Sequence, residues 1–298
     1  MLPKLTEALQ SWIKIPLKSG LFFWVGGLIA WFLQAIDWQP YWHDIKPEDG
    51  IVLVFCILFV MTLFTVLVKR FDVFILRFLE GYHWPFLLRF WIIDKKQKCF
   101  WGYEKKERRF QELANKAYGN PYALTGEERE EYARLDQEFM YLPELERRMP
   151  TRLGNILRAA EQRPQEKYGL DAIICWPRLW LVLPDAAKAE ITQARNNLND
   201  AAQIWLWGVL LVIWTVWTWW AIPVALLLAF VAYHWMIQAA EIYVQLVESS
   251  FDLYRFSLYN SLHWPKPANP AEEYEQGQQL TAYLWRGSEQ TTPTFSHI

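Results

Sequence analysis

The sequence predicts an all-α membrane protein: four transmembrane helices in two hairpins, with a mostly helical cytoplasmic domain inserted between the second and third helices. Two observations predict this class. First, residues 21–36, 51–68 and 204–233 contain no Asp, Glu, Lys or Arg, and uncharged blocks of this size match the hydrocarbon core of a bilayer. Second, the chain has only 13 Gly, 16 Pro and 3 Cys in 298 residues, which excludes collagen-like, disordered and disulfide-stapled proteins.

The first region, residues 1–93, is expected to form a transmembrane hairpin followed by an interfacial helix. Its spans are predicted at about 18–38 and 51–70, and the first lacks a small-x-small cleavage motif, so we interpret it as a retained anchor. The connecting loop has only one cation, Lys46, whereas the other connections are rich in Lys and Arg, so we expect this loop outside the cell. Residues 71–93 mix aromatic and charged side chains, which favours a helix at the inner membrane surface or one packed on the cytoplasmic domain.

The second hairpin is expected within residues 204–265, with spans at about 204–220 and 223–245 and a juxtamembrane helix after them. One helix over the 37 residues of this apolar block would be about 55 Å long, against a hydrocarbon core of about 30 Å. Pro223 and the tryptophans before it indicate the break, and a single kinked span is the alternative. Because the helical pattern runs without Gly or Pro from Asp185, the third helix should extend well below the bilayer.

A short pattern after each predicted hairpin suggests an internal duplication. Phe-Asp, ten residues and His-Trp-Pro occur twice, with an offset of 180 at all five positions. The residues concerned are Phe71, Asp72, His83, Trp84, Pro85, Phe251, Asp252, His263, Trp264 and Pro265. If the two copies share a compartment, an even number of spans separates them. We therefore expect a multi-pass protein of the bacterial cytoplasmic membrane with both termini in the cytoplasm.

Residues 94–203 are expected to form the cytoplasmic helical domain and stalk, and residues 266–298 a cytoplasmic tail. The segment Thr125 to Glu128 has the pattern of a capping box and predicts the start of an amphipathic helix. A second helix is predicted over 153–162, ending before the next proline. The apolar run 172–176 is short, which indicates a strand or a buried loop, and Pro177 argues against a central strand.

A basic cluster opens the cytoplasmic segment and is the candidate contact with anionic lipid headgroups. It comprises Lys95, Lys96, Lys98, Lys105, Lys106, Arg108 and Arg109. The alternative is positive charge that sets topology without a specific partner. We expect no nucleic-acid partner, because the net charge is -2 and no binding motif accompanies the cluster.

Polar residues recur on one face of the fourth predicted span, at spacings of four, three, four and three. They are His234, Gln238, Glu241, Gln245 and Glu248, with a weaker stripe on the second span formed by Thr62 and Thr65. Ionisable groups at membrane depth face protein or water and often mark an ion path. The stripe therefore predicts pore lining, interhelical hydrogen bonds, or a solvated face below the membrane.

The expected function follows from this stripe, because no motif indicates catalysis. The 5 His and 3 Cys residues have no metal-ligand spacing, and no phosphate loop or nucleophile elbow occurs, so we expect neither an enzyme nor a bound metal or cofactor. The first hypothesis is a homo-oligomeric ion channel or pore with a cytoplasmic gating or sensing domain. The alternative is a membrane-embedded scaffold or signalling component that binds a cytoplasmic protein.

Overall fold

The structure, a computed structural model of the chain, describes residues 20, 23–29, 47–82, 84, 104–118, 124–144, 147–288 and 293–295. All regular secondary structure in these ranges is helical, as the sequence predicts. The chain divides into two compact units. The first unit comprises Met1–Arg77 and Arg195–Ala239, and the second unit comprises Phe78–Ala194 and Ala240–Ile298.

The helices of the described ranges are named in chain order. They are α1 (Pro47–Lys69), α2 (Asp72–Glu80), α3 (residues 104–118), α4 (Gly126–Met140), α5 (Arg152–Tyr168), α6 (Ala172–Val182), α7 (Asp185–Leu210), α8 (Ala221–Ser261) and α9 (Pro270–Arg286). Residues 23–29 are also helical. A 3-10 segment, Leu211–Val216, continues α7.

In the first unit, the end of α7 and the start of α8 form a hairpin. Gly208 permits the close approach of the two helices, because a Cβ at this position would lie 3.1 Å from the backbone nitrogen of Ala229. Pro223 lies in the first turn of α8, where a missing N–H costs no helical hydrogen bond. The break expected near this proline is therefore present, and the alternative of one kinked helix does not form.

Two helices of the described residues are long and apolar enough to cross a membrane. They are Asp185–Val216 and Ala221–Ser261, and they support membrane association by length and composition. Helix α1 has 23 residues and covers the second predicted span. The span at about 18–38 lies largely outside the described residues, so the four-span topology stays a prediction.

A buried apolar cluster holds the first unit together. Phe23, Val68, Trp207, Leu211 and Ala225 are its buried members. The rings of Phe23 and Trp207 are 5.3 Å apart between centroids, a normal distance for a favourable aromatic pair. The cluster thus brings residues 23–29 and α1 against the hairpin of α7 and α8.

The core of the second unit is formed mainly by α6, α8 and α9. Cys175, Leu179, Phe251, Tyr259 and Leu280 are each completely buried in it. The C-terminal part of α8 is therefore a core helix of this unit, and α9 brings the predicted tail into the core. The second unit is consequently larger than the 94–203 domain expected from the sequence.

Two predictions for the helices of the second unit are wrong. The run 172–176 is neither strand nor loop but the start of α6, because the Asp171 side chain caps the helix by accepting the Ile174 N–H at 3.1 Å. Helix α5 does not end before Pro164 but continues to Tyr168. It ends where Gly169 adopts a left-handed φ of 70°, a conformation that glycine adopts without steric cost.

The predicted capping box is present at the start of α4. The Thr125 hydroxyl accepts the Glu128 N–H at 3.3 Å, and the Glu128 carboxylate accepts the Thr125 N–H at 3.0 Å. Helix α4 pairs with α3 around Leu113, Leu124 and Leu135, which are buried. The capping box and the packing of α4 on α3 therefore both favour this helix.

Candidate functional site

The predicted polar stripe lies along α8, and its first two residues differ from the rest. His234 and Gln238 are exposed in the apolar part of the helix. The imidazole of His234 packs edge-on against Phe230, with 4.6 Å between ring centroids. Neither residue is held by an ion pair in the described part of the chain.

The next two residues of the stripe bind side chains from the α4–α5 region. Glu241 pairs with Arg152, with 3.0 Å between Oε1 and Nη2. Gln245 donates from Nε2 to the hydroxyl of Tyr141 at 2.7 Å. The Arg152 side chain is 66% exposed, so its ion pair is largely solvated and contributes little stability.

Glu248 is the most enclosed carboxylate of the stripe, with its side chain 15% exposed. It accepts hydrogen bonds from two cations of α5: Arg163 Nη1 at 2.5 Å and Lys167 Nζ at 2.6 Å. Charge-assisted hydrogen bonds of this kind are stronger than neutral ones. Two cations on one partly buried carboxylate connect α8 firmly to α5.

The series continues with Asp252 and Arg255, one and two turns further along α8. The Tyr168 hydroxyl donates to Asp252 at 2.5 Å, and Arg255 pairs with Glu273 of α9 at 2.6 Å. The Arg255 guanidinium lies 4.3 Å from the centroid of the Tyr168 ring. Burial, and then the hydrogen bond to Asp252, raises the pKa of Tyr168 to about 12.

We call this set the α8 polar network: Glu241, Gln245, Glu248, Asp252 and Arg255 with their partners Tyr141, Arg152, Arg163, Lys167, Tyr168 and Glu273. Helical spacing places the α8 residues of this network on one face, but it does not identify their partners. The spacing of the three α5 cations, eleven and then four residues apart, was the available signal, because it places them on one helical face.

The two residues of the weaker stripe on α1 also differ in their surroundings. Thr65 is buried, and its hydroxyl donates to the backbone carbonyl of Met61 at 2.7 Å, within its own helix. Thr62 is exposed. The Thr65 hydroxyl is therefore engaged by its own backbone, as buried threonines in helices commonly are.

Most of the described part of the basic cluster forms ion pairs with acidic residues. Lys106 of α3 binds Glu138 of α4 at 2.6 Å, and Arg109 binds Glu131 at 3.1 Å. Two further residues lie on the same helix: Arg108, which pairs with Glu104 at 2.5 Å, and Lys105, which is exposed. Lys95, Lys96 and Lys98 lie outside the described residues. In its described part, the cluster contributes to the pairing of α3 with α4.

The two copies of the repeated pattern differ in local structure. Phe71 is 56% exposed in the turn between α1 and α2, whereas Phe251 is fully buried within the uninterrupted α8. Trp84 donates from its indole nitrogen to the carbonyl of Phe78 at 2.6 Å, and Trp264 is buried in the core of the second unit.

The remaining positions of the pattern also differ. Asp72 begins α2, whereas Asp252 belongs to the α8 polar network. His263 has a positive φ of 54° in the turn after α8, and Pro265 follows it. The first-copy residues His83 and Pro85 lie outside the described residues.

A cavity of about 360 Å³ adjoins the α8 polar network in the second unit. The C-terminal half of α4, the residues after it and the first turn of α5 form its walls. Among the lining residues are Arg134, Glu138, Tyr141, Arg152 and Asn155. Two of these, Tyr141 and Arg152, are also the partners of Gln245 and Glu241. Nothing in the sequence pattern indicated this cavity.

The described part of the chain was compared with the spatial requirements of a metal site and of a reactive thiol. No group of three His, Cys, Asp or Glu residues there could hold a metal ion. Burial raises the pKa of the Cys175 thiol to about 11, so this group is an unreactive thiol at neutral pH.

No protein family, curated protein or solved structure matches this chain.

Proposed function

We propose that this protein is a membrane-anchored scaffold or signalling component whose helical unit binds a cytoplasmic partner protein. In this proposal, α7 and α8 cross the cytoplasmic membrane of a bacterium, the protein is multi-pass, and both termini lie in the cytoplasm. The second unit is then the cytoplasmic part that the membrane helices hold at the inner surface.

The main observation in support of the proposal is that residues of the polar stripe bind other side chains of the same chain. Glu241 and Gln245 bind Arg152 and Tyr141, and Glu248 binds Arg163 and Lys167. All three side chains therefore have partners within the helical unit, and the more enclosed pairs of Glu248 contribute most of the stability. A pore wall would instead keep such groups in contact with water and ions. A unit with its own core and polar network is suited to presenting a preformed surface.

The outer face of α6 is the surface that we assign to the partner. Its inner face, with Cys175 and Leu179, lies in the core, whereas Ile173 is 65% and Leu181 is 76% exposed. Exposed apolar side chains grouped on one helix favour association with another protein. Because α6 is held by its buried face, substitutions on its outer face should leave the unit folded.

Affinity purification of the tagged full-length chain from native membranes tests this proposal. We expect a partner protein to co-purify with wild type and to be lost from the double variant Ile173→Ser, Leu181→Ser. The matched control is Glu190→Ser, an exposed position on α7. Recovery of the chain alone from wild-type membranes, or equal recovery of the partner with all three chains, contradicts the proposal.

A homo-oligomeric channel is the second candidate, and one observation favours it. His234 and Gln238 are exposed in the apolar part of α8, where polar groups facing lipid are costly. A second copy of the chain or a water-filled path would solvate them. Under this hypothesis, purified and reconstituted wild type conducts ions and His234→Ala changes the conductance or selectivity. Absence of current from wild type contradicts it.

A further inference from the structure

We propose that the cavity between α4 and α5 binds the oxyanion group of a small ligand, a phosphate or a carboxylate, with Arg134 as the principal contact. This inference goes beyond the proposed function, because the cavity is a different site from the outer face of α6. Binding to the purified chain does not require a partner protein.

The size and the walls of the cavity suit a small molecule. Its volume of about 360 Å³ lies at the lower end of the range of about 300–1,000 Å³ found for ligand sites. Leu142 and Ile156 supply apolar wall, and arginine, glutamine and asparagine side chains supply polar groups. Polar and charged residues make up most of this lining, which suits a charged ligand better than an apolar one.

Arg134 is the cation of the cavity that is available to a ligand. It has no ion-pair or hydrogen-bond partner among the described residues. By contrast, several cations of the neighbouring helix α3 are paired with carboxylates of α4. The guanidinium group presents a planar set of N–H donors that matches phosphate and carboxylate oxygens. Arg152 also lines the cavity, and its Nη2 is shared with Glu241.

The carboxylate that lines the cavity does not cancel this charge. Both oxygens of Glu138 accept hydrogen bonds from Lys106, at 2.6 and 2.8 Å. The pair is therefore neutral as a unit, and Arg134 leaves the cavity with a net positive charge.

Asn155 provides a second donor that points to the same ligand chemistry. Its side chain is only 7% exposed, lines the cavity, and accepts the Met149 N–H through Oδ1 at 2.7 Å. Its amide nitrogen has no partner among the described residues. An anionic oxygen bound in the cavity could accept a hydrogen bond from this amide nitrogen.

Thermal unfolding of the full-length chain in detergent micelles tests the site, with inorganic pyrophosphate as probe at constant ionic strength. We expect the unfolding midpoint of wild type to rise with probe concentration and to saturate, because a ligand that binds the folded state stabilises it. In Arg134→Gln, half-saturation should need about tenfold more probe or more, since a charge-assisted contact is lost. The matched control is Arg129→Gln, an exposed arginine on the same helix outside the cavity.

A second arm identifies the source of the oxyanion. The unfolding midpoints of wild type, Arg134→Gln and Arg129→Gln are measured in mixed micelles that contain either phosphatidylglycerol or phosphatidylcholine. Saturable stabilisation by pyrophosphate assigns a soluble ligand, and stabilisation by phosphatidylglycerol alone assigns a lipid headgroup, provided that Arg134→Gln weakens it. If neither probe shifts the midpoint, or Arg134→Gln responds like Arg129→Gln, the inference is overturned. Failure to capture a partner protein leaves this measurement unaffected, so the two proposals fail separately.

Discussion

Tyr168 joins three parts of the second unit through one side chain. Its hydroxyl donates to Asp252 of α8, its ring lies under Arg255, and it is the last residue of α5. The neutral phenol is the form that the fold stabilises, because burial and the Asp252 carboxylate both oppose its ionisation and raise its pKa to about 12.

This raised pKa predicts a specific loss of stability at alkaline pH. The contribution of Tyr168 is fully present below the unfolded pKa of about 10 and is lost as the pH rises from there through about 12. The stability difference between wild type and Tyr168→Phe should therefore shrink over this range, as measured by urea unfolding at successive pH values. Tyr118→Phe, at a position that is 96% exposed, should leave the pH dependence of wild type unchanged. A constant difference between wild type and Tyr168→Phe up to pH 12 contradicts the assignment.

At the same scale, helical spacing predicted which residues of α8 share a face, but not what they contact. The series from Glu241 to Arg255 repeats every three or four residues, and this determines one side of the α8 polar network. Its partners are far away along the chain: Arg163 is 85 positions from Glu248, and Tyr168 is 84 positions from Asp252. Spacing within one helix shows which of its residues share a face, but it does not show which distant helix that face contacts.

At the scale of elements, α8 is joined to α5 by ion pairs at Glu241 and at Glu248, and the arginines at these two sites differ in burial. Glu248→Gln should lower the free energy of unfolding by about 1–3 kcal/mol, because it leaves partly buried Arg163 without its charged acceptor. Glu241→Gln, the matched control on the same face, should cost about 0–1 kcal/mol, since Arg152 is 66% exposed. Urea unfolding in micelles compares the two variants, and equal losses would refute the proposed difference in burial.

Helices α5 and α9 meet where two glycines allow their backbones to touch. A Cβ at Gly277 would lie 1.9 Å from the carbonyl oxygen of Tyr168, and a Cβ at Gly169 would lie 2.1 Å from that of Tyr274. Gly277→Ala should therefore destabilise the chain by about 1–3 kcal/mol, although alanine normally favours a helix interior. Gly126→Ala, where the added Cβ meets nothing within 4 Å, should change stability by at most about 0.5 kcal/mol. A neutral Gly277→Ala in the same unfolding experiment would contradict the close contact.

The wrong predictions for α5 and α6 have one physical cause. Both predictions assumed that a helix does not continue through a proline, although Pro164 lies inside α5 and Pro177 lies inside α6. Proline removes one N–H and costs stability, but the apolar face of α6, with Cys175 and Leu179, is buried in the core. Tertiary burial outweighs the local preference here, and a single sequence does not report how much burial each segment obtains.

At the scale of the whole molecule, the hairpin of α7 and α8 predicts the accessibility of two positions on opposite sides of a membrane. Trp219 lies in the turn between these helices and is 80% exposed, and Lys266 follows α8. In a chain whose native cysteines are replaced, Trp219→Cys should react with a membrane-impermeant maleimide added to spheroplasts. Lys266→Cys should react only after the membrane is permeabilised. Labelling of position 266 in intact spheroplasts would refute the predicted orientation.

The helical class, the break near Pro223, the long helix from Asp185 and the cap at Thr125 were all predictable from the amino-acid sequence. Each depends on the spacing of apolar residues or on a cap within one or two turns, and such local terms can be read from the chain. Three features required the folded structure: the contacts of the polar stripe with α5 and α9, the packing of α9 in the core, and the cavity beside Arg134. These features arise from contacts between distant segments, where the burial of apolar surface and the pairing of charges select one arrangement among many.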